Sequence, residues 1–191
     1  MVPSLTKIDV ARRQLVTAIR LLFDGGDSVS IFSLAANAWE VIDVLCNKAG
    51  VLSFSNQTRE NIQSGKDLKC DYINSPYRNF FKHADRDPEA VSPQPKDSDI
   101  DSLIFLAVED YLRLQKKSPV EFQVFQLWFI SIYIDKVSAE ALSETLGVIE
   151  SAFPNIGSLM RADCLAMGSK VLLNAKVDQD LLSDPRTEQT R

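Results

Sequence analysis

The chain holds a single histidine, His83, and the residues around it are the ones whose types and spacing could do chemistry. Arg78 stands five residues before it, Asn79 follows the arginine directly, and Lys82 and Arg86 lie on either side of the ring. An imidazole titrates near neutral pH, so it can both take and give a proton. A guanidinium grips phosphate oxygens with a planar fork and offsets charge that builds on them. Other chemistries lack their residues. One histidine and three scattered cysteines (Cys46, Cys70, Cys164) offer no zinc-ligand spacing, so no metal or cofactor is expected. No glycine-rich phosphate loop is present, and no nucleophile-elbow pattern supports a Ser-His-Asp triad around His83.

A helix must position these residues. Asn74-Ser75-Pro76 reads as its start, with Ser75 as N-cap and proline at the first helical position; Asp87-Pro88 is expected to end it. At helical spacing Tyr77, Phe80, Phe81 and Ala84 form an apolar stripe expected to face the core. Arg78, Lys82, Asp85 and Arg86 then fall on the solvent arc, and Asn79 and His83 are an i, i+4 pair at its border. Arg78 lies about 140° around from His83 and can approach it only by bending across the helix end. Free N–H groups of that first turn would favour a bound phosphate. The plainer reading is that His83 borders the core and bonds Asn79 or a carbonyl, while Arg78 and Lys82 form a solvated face.

The remaining elements also read as helices. Thr6 caps a first one with Ile8, Ala11, Leu15, Ile19 and Leu22 on one face, ended by Gly25-Gly26. A second runs from about Ser30 to Lys48 and stops at Gly50. Its surface is apolar except for a narrow strip of Ser33, Asn37, Glu40 and Asn47, which marks it as central. Glu40 on that strip either reaches Arg78 and positions it or simply faces solvent. Residues 51–66 read as a loop with one turn near Arg59, and residues 88–98, with three prolines, as a linker. Beyond it, helices are expected from Ser98 or Asp99 to Gln115, from a capping box at Ser118-Pro119-Val120-Glu121, from Ser138 to Ala152, and from Gly157 to Ala175. The aromatics of the Ser118 helix suit a core or an interface between copies better than a nucleobase platform. The result is an all-α bundle of about five to seven helices: residues 1–87 as a core with the motif, residues 99–176 packing on the same domain, and a polar, disordered tail over 177–191.

Composition bounds the function. With 45% apolar and 25% charged residues the chain is that of a packed globular protein. A net charge of −5 argues against a broad nucleic-acid surface, so any such contact is local. Six basic and four acidic residues between Arg59 and Arg86, against one and seven from Asp87 to Asp110, place the local positive charge around the motif. The sparse cysteines suit a reducing compartment, where each acts as a small buried hydrophobe. The opening Met-Val-Pro-Ser, soon followed by Arg12 and Arg13, lacks the form of a signal peptide. The apolar stretch Phe125 to Ile134 is too short to span a bilayer, so a cytoplasmic location off the membrane is expected.

The string Arg78-Asn79-Phe80-Phe81-Lys82-His83 resembles the signature of the HEPN superfamily, an arginine four to six residues before a histidine, often with a polar residue after the arginine. The resemblance covers at best the first two-thirds of the chain. It implies an α-helical, commonly dimeric domain and a metal-independent endoribonuclease of toxin–antitoxin, phage-defence or RNA-processing systems, with an antitoxin or nucleotidyltransferase as partner protein. It implies His83 as general acid or base, Arg78 on the phosphate, Asn79 orienting either, and Lys82 and Arg86 along the RNA. The competing class is a non-catalytic helical module that dimerises and binds a protein.

Overall fold

Apolar residues spaced three and four apart make the regular elements of this chain helices. The computed structural model describes residues 4–137, 142 and 145–189, and among them no strand occurs. The helices are α1 (Lys7–Phe23), α2 (Ser28–Ala49), α3 (Phe54–Asn61), α4 (Leu68–Arg78), α5 (Asn79–Lys82), α6 (Asp97–Gln115), α7 (Val120–Ile132), α8 (Leu146–Ala152), α9 (Arg161–Ala175) and α10 (Gln179–Ser183). The all-α bundle expected from the sequence is what forms. Contacts divide the chain into two compact units, Met1–Ala18 with Gly26–Lys116, and Ile19–Gly25 with Lys117–Arg191. The break therefore falls at Lys116, a left-handed C-cap (φ 62°), and not in the proline-rich segment, because α6 packs along α2.

In the first unit α2 is the organising helix. Asp27 caps its start by accepting the Ser30 N–H, and Gly50 ends it at φ 65°, where a side chain would strain the backbone. Among the described residues it is the one helix long and apolar enough to cross a membrane by length and composition, and half of that span is buried in the core. Ile31, Phe32, Ala35, Trp39, Ile42 and Cys46 are buried from α2, as are Ile100, Ile104, Ala107 and Tyr111 from α6. The stretch read as a loop contains α3, started by Ser53, which accepts the Asn56 N–H. α3 is tied inward by a buried relay. Trp39 Nε1 donates to Ser55 Oγ at 2.9 Å, and the Ser55 hydroxyl and backbone N–H both donate to the Asp110 carboxylate, which is fully buried. Burial pushes the Asp110 carboxyl up against the lowering effect of these bonds. Arg59 grips Asp43 with a two-pronged fork at 2.7 and 2.9 Å. Burial lifts the Cys46 thiol to about 12, which keeps it inert, whereas Cys70 is exposed and not the buried hydrophobe expected of it.

In the second unit the aromatics of α7 are core. Phe122, Phe125 and Trp128 are fully buried, and Phe23 packs edge-on to Trp128 at 5.5 Å. Trp128 Nε1 donates to the Cys164 carbonyl at 2.8 Å. No capping box opens α7: its N-cap is Pro119, and Ser118 instead pairs through its backbone with Arg186 and Glu188. Glu121, freed from that role and 1% exposed, takes Arg20 at 2.6 Å and Lys176 at 3.3 Å. The tail expected to be disordered forms α10 and buries Thr187, because Ser118 offers it backbone partners. The helix start expected at Ser138 lies outside the described residues.

Ser55→Ala strips one partner from Asp110 and another from Trp39, and leaving buried polar groups unmatched is expected to destabilise the protein by about 2–4 kcal/mol. Urea unfolding, with the Ser53→Ala cap variant as a milder reference, measures it. In the second unit a Cβ on Gly168 would meet the Phe23 ring at 2.4 Å, and that ring cannot rotate away from Phe125 and Trp128. Gly168→Ala is expected to lower stability by about 1–3 kcal/mol through overpacking, read from the same unfolding curves.

Candidate functional site

The motif begins where α4 gives way. Asp67 starts that helical run by accepting the Cys70 N–H, and wide turns carry it to Ser75, which is extended (φ −109°, ψ 137°). The Ser75–Pro76 peptide bond is cis. Helical backbone resumes after Ser75, as expected, and passes through Arg78 into α5. It ends earlier than expected, at Lys82 and not at Asp87, and His83 has already left the helix (φ −120°, ψ 53°). The cause lies in the side chains. After Phe81 no residue supplies an apolar group that the core covers, and Ala84 stays exposed. A turn without a buried face is too short to hold itself. A turn bond from the Arg86 N–H to the His83 carbonyl replaces the helix.

This changes what each residue can do. Arg78 is buried and not part of a solvated arc: 9% of its surface is exposed. Its Nη2 donates to Glu40 in an ion pair and to Asn37 Oδ1 at 3.1 Å, and Nη1 donates to Asn74 Oδ1 at 3.2 Å. Asn37 and Glu40 are three residues apart on α2, so they present one face to the guanidinium. Glu40 therefore does reach Arg78. Its other oxygen takes Lys69 Nζ at 2.5 Å, a cation the sequence reading missed because it lay in a stretch with no clear element. Burial pushes the Glu40 carboxyl up, but the hydrogen bonds and charges of Arg78 and Lys69 outweigh it and hold the pKa at about 2. Arg78 Nε is buried with no hydrogen-bond partner among the described residues.

His83 is one-third exposed and faces the Asp85 carboxylate across 3.9 Å. No side chain among the described residues holds the ring by a hydrogen bond, so the expected Asn79–His83 pair does not form. The Asn79 N–H is spent on the Asn74 carbonyl and so cannot serve a phosphate at a free helix start. Asn79, Phe80, Lys82 and Arg86 are exposed. Phe80, expected in the core, is out because Phe81 takes the inward place, stacked on Tyr77 at 6.4 Å and edge-on to Phe32 at 6.2 Å. A cavity of about 930 Å³ opens in the second unit against Leu127, Val148, Met167 and Val171, and none of the motif residues lines it. Among the described residues, no group of three or more His, Cys, Asp or Glu could hold a metal ion.

The chain matches no protein-family model, no curated protein and no solved structure.

Because the Glu40 pKa is depressed in the fold, its contribution is complete above the ordinary carboxylate value of 4.5 and fades as pH falls toward 2. Wild type is expected to exceed Glu40→Gln in stability by about 1–2 kcal/mol at pH 6, less than the shift alone would give because a third of the side chain meets water. Urea unfolding at several pH values should show that gap closing between pH 4.5 and 2.

Proposed function

We propose that the chain is a metal-independent endoribonuclease of HEPN type that acts as a symmetric pair of chains. The observation that supports it is the pinned arginine. Glu40, Asn37 and Asn74 hold the Arg78 guanidinium in one orientation, five residues ahead of a part-exposed imidazole that no side chain ties down. Phosphodiester cleavage by a ribose 2′-OH needs a held cation and an acid–base group, and the motif carries one of each. The 2′-OH attacks phosphorus while the 5′-oxygen leaves, which gives a cyclic phosphate and a free 5′-OH. His83 takes the proton from the 2′-OH, and His83 of a second chain gives one to the departing oxygen, since one imidazole cannot do both at once. Arg78 holds the backbone that carries His83 and adds positive potential from below the surface. Lys82 and Arg86, being exposed, meet phosphates directly.

A second reading, a non-catalytic helical module, is favoured by a different aspect of the same arginine. Glu40 already compensates its charge, and little of it reaches solvent. His83→Ala separates the two readings, because no side chain among the described residues is hydrogen-bonded to the ring. Wild type with EDTA present is expected to cleave single-stranded RNA to cyclic-phosphate ends. His83→Ala should lose at least about a hundredfold in rate, the usual worth of a positioned acid–base group. Arg78→Ala should also be inactive but less stable, since Glu40 then lacks its buried partner. Absence of cleavage by folded wild type would assign the chain to the second reading.

A further inference from the structure

In the second unit α9 has two neighbouring apolar faces. Cys164, Gly168 and Leu172 are buried on one of them. Met167 and Val171, an i, i+4 pair, lie on the next and line the cavity of about 930 Å³. Val124 and Leu127 of α7, Val148 of α8 and Leu181 of α10 add to its apolar wall. Val148 keeps 53% of its surface exposed although it is a large apolar residue. A space of up to about 1,000 Å³, walled by several helices and holding few polar groups, is the usual form of a small-molecule site. Those polar groups decide what enters. Asp178 is spent as the cap of α10, accepting the Asp180 and Leu181 N–H groups at 3.0 and 3.1 Å. Gln123 donates its amide to the Ser118 carbonyl and the Thr187 hydroxyl. Asp163 stands in the first turn of α9, where a carboxylate meets the positive end of the helix dipole. Lys170 and Asn174, one turn apart in the same wall, have no side-chain hydrogen bond or ion pair among the described residues.

We propose that this cavity binds an aliphatic carboxylate the size of a medium-chain fatty acid, with its chain against Leu127, Met167 and Val171 and its head group on Lys170 and Asn174. An ammonium and an amide N–H together offer donors to both carboxylate oxygens, and the ammonium makes the bond charge-assisted. Asp163 does not cancel that charge. It lies seven residues before Lys170 on the same helix, about 10 Å along the axis, beyond the screening length of physiological salt. The part of α9 that lines the cavity, from Asp163 to Asn174, runs about 16 Å, which an extended chain of that class spans. Removing the chain from water drives binding, and the head group sets the preference for an acid over an amine. The inference does not rest on the ribonuclease reading, whose residues all belong to the first unit.

Isothermal titration of the full chain with dodecanoate and with dodecylamine, both kept below micelle formation, tests it. Wild type is expected to bind dodecanoate at one site with a negative heat-capacity change, and the amine at least about tenfold more weakly. Lys170→Gln should lose about tenfold on dodecanoate and nothing on the amine, while Lys170→Arg keeps the acid. Ala166 is an exposed residue of the wall, so Ala166→Phe adds bulk to the cavity without entering the core and should abolish binding of the acid. Urea unfolding checks that this variant is folded, and Ser151→Phe, at an exposed wall position of α8, replaces it if it is not. Equal affinity for acid and amine, or dodecanoate binding that Lys170→Gln leaves unchanged, overturns the carboxylate assignment. No binding by folded wild type, or binding that a folded wall-filling variant leaves untouched, overturns the site itself.

Discussion

Burying one half of a long helix leaves the polar side chains on that half little water to turn to, and α2 is buried in that way. Each polar group it carries inward must then be met by another element. Trp39 Nε1 meets Ser55, which brings α3 in and hands the bond on to Asp110 of α6. Asp43 meets Arg59, and Glu40 meets Arg78 and Lys69. Two elements of the first unit, α3 and α4, are thus located by bonds to α2, and α6, which packs on α2 through apolar side chains, is joined to α3 through Ser55 and Asp110. Loss of Ser55 leaves the fully buried Asp110 short of partners, which costs more than breaking a surface pair, whereas the pairs of Glu40 keep water on one side.

The same constraint shapes the candidate site. An arginine beside a histidine suggests two groups working side by side on one phosphate, yet the fold gives them different surroundings. Arg78 is a structural tie first: it joins the motif to α2, and its charge is met by Glu40. Lys69 on the far oxygen leaves the three-residue cluster with a net positive charge near the surface. His83 lies beyond the end of the helix, one-third exposed and without a side-chain hydrogen bond among the described residues. The segment therefore combines a tied arginine with a part-exposed imidazole, and Asn79, Phe80, Lys82 and Arg86 close to them in the chain are exposed.

The second unit is held by a different means. Its centre is aromatic, with Phe23, Phe125, Trp128 and Phe129 in mutual contact, and Gly168 is required where the Phe23 ring lies against α9. Glu121 is buried there between two cations from other elements, Arg20 and Lys176. Burial pushes the Glu121 carboxyl up, but the hydrogen bonds and the charges of Arg20 and Lys176 outweigh it and hold its pKa below the usual value.

Local physics accounts for what could be read in advance. The period of apolar residues in α1, α2, α6 and α7, the cap at Thr6 and the glycine stops after α1 and α2 depend on neighbours in the chain, and they formed as read. Helical spacing alone put Glu40 with Asn37 on the polar strip of α2. What depended on partners far along the chain was not legible. Whether Glu40 would find Arg78 or water, and that Lys69 would share it, required α4 to be laid against α2. The motif helix was read too long because its last residues had the right propensity but nothing to bury them. Phe80 was assigned to the core because a stripe cannot say which of two adjacent rings the interior has room for. Glu121 was taken for a cap until Arg20 and Lys176 drew it away. Spacing along the chain determined the helices and the residues they carry; only burial against distant elements decided which of those side chains are tied down and which remain free.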